Sequence, residues 1–85
     1  MSVGSEYSYM RSQEIFGAKK GDRVYIFRKA RDHEAGWANT WNPNMDYAVG
    51  KEGKVISKNH GSGGILINVD GISGYFYPYF VLRLK

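Results

Sequence analysis

The sequence predicts an all-β domain built from five short strands. Short runs rich in β-branched and aromatic residues recur along the chain, and turn-forming residues separate them. No long stretch repeats its apolar residues with the helical period. The chain has 85 residues, which is enough for one domain but not for two. Aromatic residues make up 15% of it and supply the large side chains that a small core needs.

The first predicted element, residues 1–18, has no clean period. We expect an arm or a short helix that packs on the remaining β domain, residues 19–85. The side chains expected to make that contact are Tyr7, Tyr9, Ile15 and Phe16.

The strands follow from their β-branched and aromatic content. They are predicted at residues 23–28, 51–58, 65–69, 75–77 and 82–84. A long polar loop, residues 29–49, joins the first two, and a Gly-rich turn, residues 59–64, follows the second. Asp70-Gly71 is typical of a hairpin turn that needs positive φ. Pro78 ends the fourth strand, because proline cannot donate to a sheet ladder.

Alternation along the strands predicts two faces. The expected core consists of Val24, Ile26, Val55, Ile65, Ile67, Val69, Phe76, Leu82 and Leu84. The second face would carry Tyr25, Phe27, Leu66, Tyr75 and Tyr77, which are too apolar for a surface left bare in water. We expect either that the N-terminal arm covers this face or that it binds a partner protein or a second copy.

Several motifs resemble a known small barrel. They are Lys20-Gly21-Asp22-x-Val24, Trp41, Met45-Asp46, Val49-Gly50-Lys51-x-Gly53-x-Val55, Asp70-Gly71 and the closing run Gly74 to Leu84. Together they resemble SH3-like barrels of the KOW-like and Mib/Herc2-like type, as found in small phage-encoded proteins. The resemblance covers residues 20–84 and implies a five-stranded SH3-like barrel with a long first loop. The chain lacks the acidic first loop of peptide-binding SH3 domains and the tryptophan that follows their second strand.

The two tryptophans of the long loop have different expected roles. In the resembling barrels, the tryptophan before Met-Asp packs on the barrel edge, which implies a structural role for Trp41. Trp37 has no such match and lies near a basic run in the sequence. An exposed tryptophan beside arginines is a good stacking platform for a base or a hot spot for a protein. The alternative is that Trp37 packs over Trp41.

Charge and composition limit the chemistry. The net charge is +4, which permits nucleic-acid or acidic-protein partners. Without cysteine there is no thiolate nucleophile or cysteine-bound zinc, and a reducing cytoplasm suits the chain. No apolar run approaches the roughly 18 residues of a membrane span. His33 and His60 lack further ligands at metal spacing, so neither a metal nor another cofactor is expected.

These observations favour a non-enzymatic protein that binds nucleic acid, with single-stranded RNA ahead of duplex DNA, and masks it. The residues expected at this site are Arg28, Lys29, Arg31, Trp37, Lys54 and Lys58. The first alternative is a protein-binding inhibitor or adaptor, such as a phage early protein that blocks a host enzyme or a defence toxin, together with RNA or without it. The second is an endoribonuclease using His33-Glu34, since some toxin endoribonucleases are SH3-like barrels.

Overall fold

The computed structural model describes residues 3–58 and 61–85. One helix, α1 (Val3–Phe16), precedes five strands: β1 (Arg23–Ile26), β2 (Glu52–Lys58), β3 (Ile65–Val69), β4 (Ile72–Tyr77) and β5 (Leu82–Leu84). Short 3₁₀ turns cover Glu34–Gly36, Pro43–Ala48 and Tyr79–Val81. His60 and the start of the predicted Gly-rich turn, residues 59 and 60, lie outside the described residues.

The strands form one antiparallel sheet in the order β4-β3-β2-β1-β5. The prediction of a small β-rich fold is confirmed in the described part of the chain. Two strands, β3 and β5, have the predicted bounds. In the other strands, β1 ends at Ile26 rather than Arg28, and β4 begins at Ile72 rather than Tyr75.

One face of the sheet supplies most of the core. Its fully buried side chains are Val24, Ile26, Val55, Ile65, Ile67, Val69 and Tyr77, with Leu82 nearly so. The predicted core is therefore confirmed except at two positions. Leu84 is 40% exposed at the end of the last strand, and Phe76 is only half-buried.

The prediction for β4 reversed its two faces. Tyr77 is fully buried and Tyr75 packs against the core, whereas both were expected on the second face. The register explains this, because Tyr77 pairs with Ile65 and Tyr75 with Ile67. Directly paired residues point to the same side of a sheet. Residues 75–77 are all aromatic, so the sequence of this strand contains no polar side chain that would indicate which face points to solvent.

The N-terminal segment is a helix of 14 residues, which is the second of the two expected forms, an arm or a short helix. Its inward side chains are Tyr9 and Gln13, both buried, and Phe16, which is half-buried. Tyr9 packs against Tyr79 and Phe80, with ring centroids 5.1 and 6.3 Å away. The helix thus contacts the 3₁₀ turns at Glu34–Gly36 and Tyr79–Val81. That the segment also covers Tyr25, Phe27 and the other residues of the predicted second face stays a prediction.

The outward side of α1 keeps large apolar side chains in solvent. Tyr7 is 60% exposed and Ile15 79% exposed, so the prediction that both pack on the body is wrong. Met10 lies beside them on this side. Within the described residues, no helix combines the length and the apolar character needed to cross a bilayer.

The long loop is held by its second tryptophan, as predicted. Trp41 is buried, and its Nε1–H donates to Asp46 Oδ1 at 2.6 Å. Its ring meets Tyr77 edge-on at 5.9 Å. Asn42 caps the following 3₁₀ turn, its Oδ1 accepting from the Asn44 N–H at 2.8 Å. Residues 29–49 are therefore an ordered layer that covers one end of the sheet core.

The β3–β4 hairpin allows a matched pair of substitutions. Asp70 and Gly71 both have positive φ, 56° and 84°, as a type I′ turn requires. We expect Gly71→Val to cost about 1–2 kcal/mol or more, because a β-branched residue resists the left-handed region. This would lower the melting temperature by about 5 °C or more. The control is Gly74→Val in the same hairpin, where φ lies outside the left-handed region and an added Cβ meets nothing within 4 Å. Equal melting temperatures for the two variants would contradict the turn assignment.

Candidate nucleic-acid interface

The solvent side of the sheet collects basic and aromatic side chains. It alternates with the buried positions on each strand, and we call it the outer face. Its members are Arg23, Tyr25, Glu52, Lys54, Leu66, Asn68, Phe76, Arg83 and Lys85. Four of them are cationic and one is a carboxylate. The outer face therefore carries three of the four net positive charges of the chain.

A row of cations crosses β2 and β1 and ends at Lys85, the residue after β5. Arg23 on β1 lies directly opposite Lys54 on β2, and the Lys85 backbone N–H donates to Arg23 O at 3.0 Å on the other side. Like charges directly opposite each other destabilise a sheet. The row is thus an arrangement that folding alone does not favour.

Glu52 neutralises part of this row. Its carboxylate lies 2.9 Å from Lys85 Nζ and 3.5 Å from the Arg23 guanidinium. The hydrogen bond from Lys85, with the charges of Lys85 and Arg23, lowers the pKa of Glu52. Lys54 forms no ion pair within the described residues, so its charge is available to an external anion.

Aromatic side chains lie beside the cations. Tyr25 pairs with Arg83 across β1 and β5 and shares its strand face with Arg23. The Arg83 guanidinium also lies 5.1 Å from the centroid of the partly exposed Phe27 ring. At the other end of the sheet, Phe76 pairs with Leu66. The outer face therefore combines charge with flat apolar surface.

Only part of the predicted site lies on this face. Lys54, Tyr25 and Leu66 all lie on this face, and the Phe27 ring contacts its Arg83. Lys58 falls outside the row, because a bulge between Val55 and Ser57 shifts the register and pairs Lys58 with Ile65.

The basic run at the start of the long loop forms a separate cluster. The Arg28 guanidinium donates to both carboxylate oxygens of Glu34, at 3.0 and 3.3 Å, and lies over the Phe80 ring. Arg31 donates its backbone N–H to Glu34 at 3.0 Å, and Lys29 Nζ lies 3.9 Å from Asp46. The hydrogen bond from Arg28 lowers the pKa of Glu34. Much of this cluster's positive charge is therefore compensated within the loop.

Trp37 is not the exposed platform that we predicted. It is 1% exposed, and its Nε1–H donates to Gly63 O at 2.9 Å. The turn after β2 closes over the ring, since a Cβ on Gly64 would lie 3.0 Å from Trp37 Nε1. A ring enclosed in this way has no free face on which a base could stack.

The pair suggested for an endoribonuclease, His33-Glu34, is also held by contacts within the protein. Both Glu34 oxygens accept hydrogen bonds, and His33 Nδ1 lies 3.4 Å from the Trp37 carbonyl. A general base must be within reach of a substrate proton. This geometry gives the endoribonuclease alternative no support.

Comparisons with protein-family models, with curated proteins and with solved structures found no match to the chain.

Five residues of the outer face were not predicted as site residues, Phe76 because it was expected in the core; the other four are Arg23, Arg83, Lys85 and Asn68. A signal for two of them was present, because Arg23 and Arg83 alternate with apolar residues on predicted strands. The alternation of residues does not give the strand order, which places β5, β1 and β2 side by side and so groups these side chains.

Proposed function

We propose that this protein binds nucleic acid non-enzymatically through its outer face, prefers single-stranded RNA and acts by masking it. The row Lys85, Arg23 and Lys54 beside Tyr25 carries this proposal. Phosphates would supply the negative charge that offsets the cross-strand repulsion, and Tyr25 would stack a base.

Single strands are favoured over duplex DNA because the exposed side of α1 does not have the character of a helix that reads a major groove. The exposed side of α1 carries Tyr7, Met10 and Ile15 with both Arg11 and Glu14. A helix that reads a major groove uses polar and basic side chains on its exposed face. The aromatic outer face suits unstacked bases instead.

We also propose that the sheet belongs to the SH3-like barrel class, of the KOW-like or Mib/Herc2-like type. This proposal is supported by the 3₁₀ turn Tyr79–Val81 between the last two strands and by the long segment between β1 and β2. A phage origin and action in the cytoplasm belong to the same proposal.

A salt titration of RNA binding tests the proposed function. With about three phosphate contacts, the log–log slope on a single strand is expected near −2. Lys54→Ala should make the slope shallower by about 0.7, because one contact is lost. Tyr25→Ala should cost about 1–3 kcal/mol of affinity with little change in slope, since stacking releases few ions. Fluorescence anisotropy of a labelled RNA oligonucleotide measures both quantities.

Two observations would contradict this proposal. One is undetectable binding at low salt. The other is a salt-dependence slope that changes with Lys29→Ala and not with Lys54→Ala. That result would show that RNA binds the basic cluster at the start of the long loop instead. Melting curves of each variant show whether a lost affinity reflects a lost fold.

A second candidate function is that of a protein-binding inhibitor or adaptor. The exposed apolar side of α1 favours it, because Tyr7, Met10 and Ile15 lie together in solvent. A complex formed there would survive high salt and would be lost in Ile15→Glu. An RNA complex on the outer face would show the opposite behaviour in both tests.

A further inference from the structure

A small cavity opens at the β4 side of the sheet. Its volume is about 190 Å³, and its lining includes Asn39, Thr40, Asn42, Gly74, Tyr75 and Phe76. This is below the roughly 300 Å³ at which pockets for drug-sized ligands begin. The cavity is therefore too small for a whole nucleotide chain. Phe76 also belongs to the outer face, so the two surfaces are continuous.

Backbone contacts fix the orientation of both amide side chains in this cavity. Asn39 uses its Nδ2 group to donate to Gly63 O at 2.6 Å, which leaves Oδ1 as the acceptor. Asn42 uses its Oδ1 to accept from the Asn44 N–H at 2.8 Å, which leaves Nδ2 as the donor. Outside these two bonds, the lining residues thus keep one acceptor on Asn39 and one donor on Asn42, with the Thr40 hydroxyl between them in the sequence.

Gly74 lines the cavity from β4, although its backbone conformation does not require glycine. Its φ lies outside the left-handed region, and a Cβ built on it meets nothing within 4 Å. Glycine inside a strand weakens the strand and often marks a close approach by a ligand. Any larger side chain here would occupy space at the cavity rim.

We propose that this cavity receives a single unpaired nucleobase. The Watson–Crick edge of each base carries its donors and acceptors in a particular order, so Asn39 Oδ1 and Asn42 Nδ2 would meet the bases whose order matches theirs, and Tyr75 and Phe76 would contact the ring. The inference rests on the proposed function, since a strand held on the outer face would deliver the base. It adds that the protein distinguishes among bases.

Asn42→Asp tests the donor with little disturbance of the fold. Aspartate caps as well as asparagine, so Oδ1 keeps its bond to the Asn44 N–H, while the Nδ2 donor becomes an acceptor. Asn44→Asp is the control, because it adds the same charge two residues away and Asn44 does not line the cavity. The probes are single-stranded homopolymers of A, U and C, about 10 nucleotides long.

We expect wild type to bind one homopolymer more tightly than the others. Asn42→Asp should weaken that complex roughly tenfold more than Asn44→Asp does. Gly74→Val should remove the preference, because its side chain would take up space at the cavity rim, while the melting temperature should stay unchanged or rise, because an added Cβ meets nothing within 4 Å. Its residual binding should resemble that of wild type to an abasic strand.

The possible failures are distinguishable. If RNA binding depends on salt and on Lys54, but Asn42→Asp equals Asn44→Asp and Gly74→Val keeps the preference, the base site is overturned and the proposed function stands. If no homopolymer binds at low salt, both are overturned.

Discussion

Replacing Trp37 by alanine is expected to destabilise the domain by about 3–5 kcal/mol, as large aromatic truncations in a core do. The ring is buried, and its Nε1–H bonds the turn that follows β2, 26 positions away along the chain. Domains of this kind have a total stability of about 5–15 kcal/mol. The variant should therefore be partly or wholly unfolded at 37 °C. Urea denaturation followed by circular dichroism measures the loss.

Two further variants test whether the loss of stability comes from removing a core ring. Trp37→Phe keeps most of the apolar volume and loses the bond to Gly63 O, so it should cost clearly less than alanine does. Trp41→Ala should be as damaging as Trp37→Ala, because both rings belong to the core. A fully stable Trp37→Ala protein with weakened RNA binding would instead restore the stacking role that the sequence predicted.

Tyr9→Ala is expected to detach α1 at a similar cost of about 3–5 kcal/mol. The Tyr9 ring fills the contact with Tyr79 and Phe80, and its hydroxyl oxygen accepts the Tyr79 N–H at 3.2 Å. Burial also raises the pKa of Tyr9 above the usual range of tyrosine. Tyr9→Phe should cost about 1 kcal/mol, because only the hydrogen bond is lost.

Tyr7→Ala is the matched control on the same helix. Tyr7 is mostly exposed, so its loss should change the free energy of unfolding by no more than about 0.5 kcal/mol. Thermal melts of the three variants measure the comparison. Equal effects of Tyr9→Ala and Tyr7→Ala would show that α1 is not anchored through its inward side.

The strands could be predicted because their signals are local. Buried and partly buried residues alternate along Ile65–Val69. The dipeptide Asp70-Gly71 by itself indicates a turn with positive φ at both residues. Helix α1 was expected only as an alternative to an arm, because its aromatic and apolar residues are divided between both sides. Tyr9 and Phe16 face inward while Tyr7 and Ile15 face outward, so no single apolar stripe marks the helix.

The errors in the candidate site come from long-range contacts. The burial of Trp37 depends on residues 62–64 folding over a distant loop, and nothing near Trp37 in the sequence indicates this. The faces of β4 depend on its register with β3. Tyr25 was predicted from alternation and Lys54 from its place in a basic run, but their grouping with Arg23 and Arg83 follows from the strand order.

The central claim is that the outer face binds single-stranded RNA, and mapping by nuclear magnetic resonance tests it most directly. Titrating the ¹⁵N-labelled protein with an RNA oligonucleotide at low salt should shift the amide signals of Arg23, Tyr25, Lys54 and Arg83. Signals from the exposed side of α1, such as those of Met10 and Ile15, should stay in place. Shifts confined to α1 or to the Arg28–Glu34 loop, or no shifts at all, would contradict the account.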